Sequence, residues 1–164
     1  QRKIIAGVFV AVVLLLVFVA IAVFQSIGRQ GSSALVDVQG YQTEIVRLAD
    51  AGLSEALDPD TKILLSTYNA TVSSDLTAIT RYTTSIGVES TDERLAQNRI
   101  DGINDRLETA KQRGNYDAAI IEAIEDTSDL YKTALSLALE ESTSETRTGL
   151  LEDSALNILV FDEQ

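Results

Sequence analysis

EIVRLADAGLSEALDPDTKILLSTYN, residues 44–69, holds two runs of helical spacing on either side of a proline. Ile45, Leu48 and Gly52 recur at intervals of three and four, the spacing of one helical face. Asp58 is a candidate N-cap and Pro59 stands at the first helical position, where its missing N–H costs nothing. Leu65 and Tyr68 then restart the same spacing. The stretch therefore reads as two helices joined by a tight turn, and no strand alternation interrupts it.

The same punctuation recurs on both sides of this stretch. A first helix is predicted from about Ser33 to Leu57, with Leu35, Val38, Ile45, Leu48 and Gly52 on one side. A second runs from Pro59 to about Ile86, with Leu65, Tyr68, Val72, Leu76, Ile79 and Ile86 on its stripe. Gly87 is a stop signal, and Ser90 with Glu93 forms a capping box. A third helix is predicted from Thr91 to Arg113, carrying Ala96, Ile100, Ile103, Leu107 and Ala110. Gly114 ends it and Asn115 restarts the chain. The fourth, from Tyr116 to about Glu141, carries Ile120, Ile124, Tyr131, Leu135 and Ala138. A fifth, from about Glu145 to Val160, carries Leu151, Ala155 and Ile158. The expected fold is all-α: four long antiparallel helices with a short fifth packed on them.

Upstream lies RKIIAGVFVAVVLLLVFVAIAVFQ, residues 2–25. Ile4 to Phe24 is 21 residues without a charge or a strong polar group. As a helix it would be about 30 Å long, the thickness of bilayer hydrocarbon. It exceeds the roughly 7–15 apolar residues of a signal-peptide core, although Ala20-Ile21-Ala22 fits a cleavage rule. It therefore reads as a retained anchor, with Ile4, Gly7, Ala11, Leu15, Phe18 and Phe24 in lipid. Gly7 and Ala11 have the spacing of small-residue pairs that let helices approach in lipid. Arg2 and Lys3 before the run, against Arg29 after it, place the N-terminus in the cytoplasm. No second apolar run follows, so a single-pass protein of the cell membrane is expected. Residues 1–27 form the transmembrane signal anchor and 28–33, with Gly28 and Gly31, a junction. Residues 34–164 form an extracellular or periplasmic helical bundle.

Composition narrows the function. Residues beyond the junction hold all 25 acidic residues and 10 of the 13 basic ones, a formal charge of about −15. Such a surface repels nucleic acid and anionic headgroups. With no Cys, the domain must hold by packing alone. With no His, Ser-His triads and His-based zinc or haem sites are excluded. No glycine-rich phosphate motif is present. No cofactor, small-molecule substrate or catalytic residue is inferred.

Two segments carry a resemblance: residues 44–69, quoted above, and RGNYDAAIIEAIEDTSDLYKTALSLALEESTSETRTGLLEDSALNIL, residues 113–159. The first has an Ala-x-Asp-Pro-x-x-Lys junction, and the helix after it ends in Gly-Val. The second opens on Gly-x-Tyr-Asp and has Glu-Asp in its middle. This order resembles a group of ferritin-like helical domains of unknown function from bacterial envelope proteins, over about residues 42–160. The resemblance implies a ferritin-like four-helix bundle. Members often carry a His in the middle of the second and fourth helices. Here the corresponding places are close to Thr71 and at Thr127, so a metal role does not carry over. Thr127, between Ile124 and Tyr131, reads as a core hydroxyl.

Local candidates are few. Glu122, Glu125, Asp126 and Asp129 crowd the fourth helix, with like charges at i, i+4 that a divalent cation could relieve. They are the weak metal candidates, against a plain solvated face. Asn69-Ala70-Thr71 is a glycosylation sequon inside a helix. Tyr41, Tyr68, Tyr82, Tyr116 and Tyr131 are expected in the core with hydroxyls at the rim. Lys62 and Lys132 show nothing that would activate a Schiff-base nucleophile.

The expected function is non-enzymatic: a membrane-anchored envelope module that contacts another protein, a wall polymer or its own copies. The alternative is a filament subunit with the apolar helix as its assembly seam. That arrangement resembles type IV pilins, which usually carry Glu at the fifth mature position, where this chain has Ile5. A ligand-binding sensor is the third reading.

Overall fold

The computed structural model describes residues 33–163, with side chains as far as Phe161. The anchor residues Ile4 to Phe24, the topology charges Arg2 and Lys3, and the glycines of the junction lie outside the described residues. Among the described residues no helix is long and apolar enough to cross a membrane.

The described chain is all-helical. Helix α1 covers 33–55. It is followed by α2 (Pro59–Ser85), α3 (Asp92–Leu95), α4 (Ile103–Arg113), α5 (Tyr116–Glu140) and α6 (Glu145–Leu159). Short 3-10 turns cover Ala96–Asn98 and Val160–Glu163.

The α1–α2 turn forms as its residues dictate. Pro59 opens α2, and the Asp58 carboxylate accepts from the Thr61 backbone N–H at 2.9 Å. That hydrogen bond holds the Asp58 carboxyl below its ordinary range. The turn is also tied from a distance. Asp117, in the first turn of α5, accepts from the backbone N–H groups of Leu57 and Asp58, at 3.1 and 2.7 Å. Two carboxylates thus satisfy one donor of the turn, Leu57, and two at the helix start, Asp58 and Thr61.

Pairwise contacts give the direction of each helix. Gln39 near the start of α1 meets Thr83 near the end of α2. Lys111 near the end of α4 meets Glu55 at the end of α1. Gln42 of α1 meets Tyr131, past the middle of α5. Asn157 of α6 meets Asp75 of α2. Helices α1, α4 and α6 therefore run one way, α2 and α5 the other. Helix α6 packs on both α2 and α5, and α4 packs on α5.

Helix α1 is buried far beyond a single stripe. Leu35, Val36, Val38, Ile45, Leu48 and Ala49 are all buried, and so are Gln39, Gln42 and Glu44. Gly52 lets two neighbours close on it. A Cβ there would lie 2.6 Å from Leu65 Cδ1 of α2 and 2.9 Å from Ile120 Cγ1 of α5. At Gly40 the Asn98 side chain occupies the space of a Cβ.

The third predicted helix is corrected. The chain is not helical from Thr91 to Arg113. It makes one turn of α3, a 3-10 turn, and then breaks at Asp101-Gly102, where Gly102 has φ +78°. The cap is shifted too: Thr91, not Ser90, accepts from the Arg94 N–H, at 3.3 Å. Leu76 is only half-buried and Ile86 is exposed at the α2 C-cap, so both leave the expected stripe. Gly87 and Gly114 take the left-handed backbone conformation that a glycine stop requires.

Replacing Gly52 by Ala tests the packing around α1. Helix propensity favours Ala by about 1 kcal/mol. Overpacking in a filled core costs about 1–3 kcal/mol. The overlap with Leu65 and Ile120 makes the second term win. Thermal unfolding followed by circular dichroism will show a Tm several degrees lower; an unchanged or higher Tm would mean that α1 is packed more loosely than described.

Candidate functional site

The least ordinary feature of the interior is polar. Gln42 is fully buried on α1, and its Nε2 donates to the Tyr131 hydroxyl of α5 at 2.8 Å. The Ser154 hydroxyl of α6 lies within hydrogen-bonding reach of both Tyr131 and Asp75. Asp75 of α2 in turn accepts from Asn157 Nδ2 at 2.9 Å. The chain Gln42–Tyr131–Ser154–Asp75–Asn157 therefore crosses four helices. Tyr131 is 0% exposed, Ser154 2% and Asp75 8%, so water has little access to it. Above it, Gln39 Nε2 donates to Thr80 and Thr83 of α2, at 2.9 and 3.3 Å.

Burial sets the protonation of this layer. Desolvation raises the Asp75 carboxyl above its ordinary value, and the Asn157 hydrogen bond opposes the rise only in part. Desolvation also pushes the Tyr131 phenol well above the tyrosine range, against hydrogen bonds from Ser154 and Gln42. Tyr131 is therefore a neutral hydroxyl at any ordinary pH. The expectation that tyrosine hydroxyls reach the rim is corrected here: this one is sealed in the core.

A second buried charge lies on the outer side of α1. Glu44 is 2% exposed and receives both Nε and Nη2 of Arg47, at 2.7 and 2.6 Å. Arg99, from the segment after the 3-10 turn, approaches at 3.7 Å. The hydrogen bond to Glu44 raises the Arg47 guanidinium further. A buried carboxylate with two guanidinium partners holds the α3 segment to α1. Arg147 plays a comparable part at the other end of the chain. It is buried, donates from Nη2 to the Ala138 carbonyl at 2.9 Å, and so caps the C-terminal turn of α5. Desolvation lowers its guanidinium.

The sequence-derived candidates fall in different places. Glu122 and Asp126 are bridged by Arg106, at 3.7 and 3.0 Å, and Asp129 is held by Lys132 at 3.0 Å. The like-charge repulsion on α5 is thus relieved by the chain's own cations, which a divalent ion would have to displace. Glu125 is exposed on the same helix. Among the described residues, no three carboxylates converge on a cation-sized point. The Asn69 amide nitrogen, where a glycan would attach, donates to Asp50 at 2.7 Å from within α2. Thr127 is fully buried and donates to the Ala123 carbonyl at 2.7 Å. Thr71 is half-buried on α2. Tyr68 is buried and stacked on Phe161, with ring centroids 3.7 Å apart. Tyr41, Tyr82 and Tyr116 are half-buried, and Lys62 is exposed.

Sequence reasoning missed Gln42, Glu44, Asp75, Asp117 and Arg147. The only local signals were the Glu44–Arg47 spacing of three and an Asp in the first turn of a helix. No protein-family model matches this chain, and no curated protein or solved structure is significantly similar to it.

The Asp75 carboxyl gives a pH test with a definite sign. Its native value lies above the unfolded one, so the native state holds the proton more tightly. Its contribution is fully present below the ordinary value of 3.8 and is lost as pH rises through the raised native value. Asp75→Asn keeps an acceptor for Asn157 and removes the buried charge. The variant will unfold at a higher temperature than the parent at pH 7, and the gap will close towards pH 4. A lower Tm for the variant at pH 7 would contradict the assignment of desolvation as the dominant cause.

Proposed function

We propose that this protein is a non-enzymatic, membrane-anchored module of the cell envelope, with a ferritin-like four-helix bundle that works by protein contact. The observation that carries this reading is the filled interior. In a ferritin-like bundle, metal chemistry uses inward Glu and Glu-x-x-His ligands from facing helices. Here the interior shared by α1, α2, α5 and α6 holds the Gln42–Tyr131–Ser154–Asp75–Asn157 chain instead. These groups are hydrogen-bonded to one another, and all but the half-buried Asn157 are closed off from solvent. What the molecule offers to others is its surface, which is strongly acidic and carries exposed leucines.

The anchor part of the reading rests on the uncharged run Ile4 to Phe24 and the basic pair Arg2 and Lys3 before it. It places the bundle outside the cytoplasm, joined to the bilayer by the segment that leads into α1. Self-association and a separate protein partner are both compatible with such a module.

The test uses the full-length protein from native membranes. Extraction is attempted without and then with detergent, and the product is viewed by negative-stain microscopy. Release only in detergent, as discrete particles, is the expected result. Detergent-free fibres would overturn the anchored reading in favour of a pilin-like filament subunit with the apolar helix as its seam.

A further inference from the structure

The break at Asp101-Gly102 leaves a groove half-filled. Helix α4 lies along α5 and reaches α1 through Lys111, whose Nζ is 2.6 Å from Glu55. Its inward residues are Ile103, Leu107 and Ala110. Its Arg106 turns to α5 and pairs with Asp126. Because α4 begins only at Ile103, it covers α5 no further than this turn. One turn beyond Asp126, the same α5 stripe continues as Leu130, Ala134 and Leu137, with α1 opposite. There the groove is open, with a volume of about 340 Å³. Ala34, Asp37 and Tyr41 of α1 form its other wall. Leu130 is 40% exposed and Leu137 54%, although both lie at the spacing of an inward helical stripe.

We propose that this open half of the α1–α5 groove is a docking site for a basic amphipathic helix of a partner protein. The proposal rests on the module reading above and names the site through which it acts. The chain itself supplies the template. Helix α4 fills the neighbouring half with an apolar stripe, one cation turned to α5 and another to α1. The open half repeats the apolar floor and the α1 acid of that pattern. It has apolar side chains on the floor and an acid, Asp37, on the α1 wall. Asp37 is exposed and has no ion-pair partner among the described residues. The neighbouring cations are engaged: Lys132 on Asp129, Arg99 on Glu44, and Arg94 on the Ser33 hydroxyl. The field of a domain with formal charge near −15 draws a cationic segment and repels an acidic one. A second copy of this acidic chain would bring like charges to the rim, so it is the less favoured occupant. The stretch from Leu130 to Leu137 is two turns, about 10 Å, room for one short helix.

The chain has no cysteine, so Thr133→Cys gives one labelling site in the groove wall. The full-length protein, in nanodiscs of zwitterionic lipid, is labelled there with an environment-sensitive fluorophore. It is titrated with a synthetic 14-residue helical peptide carrying Leu at i, i+4 and i+7 flanked by Lys, and with its Glu-flanked counterpart. Saturable binding of the Lys peptide is expected, at least tenfold tighter than that of the Glu peptide and weakened by salt. Leu137→Glu, at an exposed position, should weaken it at least tenfold with an unchanged circular dichroism spectrum. Methyl NMR of unlabelled protein should place the shifts on Leu130 and Leu137. Equal binding of both peptides, no saturable binding, or indifference to Leu137→Glu overturns the proposal. So does a stronger response to added unlabelled protein, which would make a second copy the occupant. These results remove the groove assignment alone; fibres in the extraction experiment remove the module reading itself.

Discussion

The structure depends on one hydrogen bond more than on any other, the 2.8 Å contact from Gln42 to the Tyr131 hydroxyl. Both side chains are fully buried. A buried amide without partners costs about 1–3 kcal/mol, so α1 has strong reason to hold the one register in which Tyr131 receives it. Slide α1 by one turn along α5 and that bond is lost. The hydrophobic surfaces of α1 and α5 are permissive by comparison, because Leu, Ile and Ala repack with modest cost. The polar layer costs some stability relative to an apolar core and supplies specificity of register in return.

From that contact the rest follows in order. With α1 fixed against α5, Gln39 meets Thr80 and Thr83, which sets α2. Asp75 of α2 then meets Asn157 and Ser154 of α6, which closes the layer. Glu44, on the outer side of α1, gathers Arg47 and Arg99 and pulls the α3 segment over Gly40, where no Cβ stands in the way. That diversion is the reason α4 starts late and the upper half of its groove is open. A buried polar choice on α1 thus shapes the surface beside that same helix.

Much of the helix order was legible in the sequence, because punctuation there is chemical. Asp58-Pro59, Gly87 and Gly114 have few other uses than to start or stop a helix. The break at Gly102 was not legible. Ile100 and Ile103 are three residues apart whether the chain is helical or crosses a turn, so periodicity cannot separate the two cases. The polar layer was hidden for a different reason. Gln42, Asp75 and Ser154 look like solvent-facing residues of amphipathic helices, and their inward aim is a property of the packed helices together. Helix α1 is enclosed on most sides, so a single-stripe reading undercounts its core: Val36, Gln39 and Glu44 are buried outside it. Thr127 was readable because Ile124 and Tyr131 flank it on one stripe.

The most direct measurement is a double-mutant cycle on the central hydrogen bond. The proteins are the parent, Gln42→Leu, Tyr131→Phe and the double variant, each unfolded in denaturant at pH 7. Tyr131→Phe leaves the buried Gln42 amide unpaired and should cost about 1–3 kcal/mol, whereas Gln42→Leu leaves the Tyr131 hydroxyl with Ser154 and should cost about 1 kcal/mol. The double change removes both groups together, so it should cost less than the two singles summed, by about 1 kcal/mol or more. Additivity within about 0.3 kcal/mol would mean that the two side chains do not depend on each other. In that case the register of α1, and the account built on it, would need another cause.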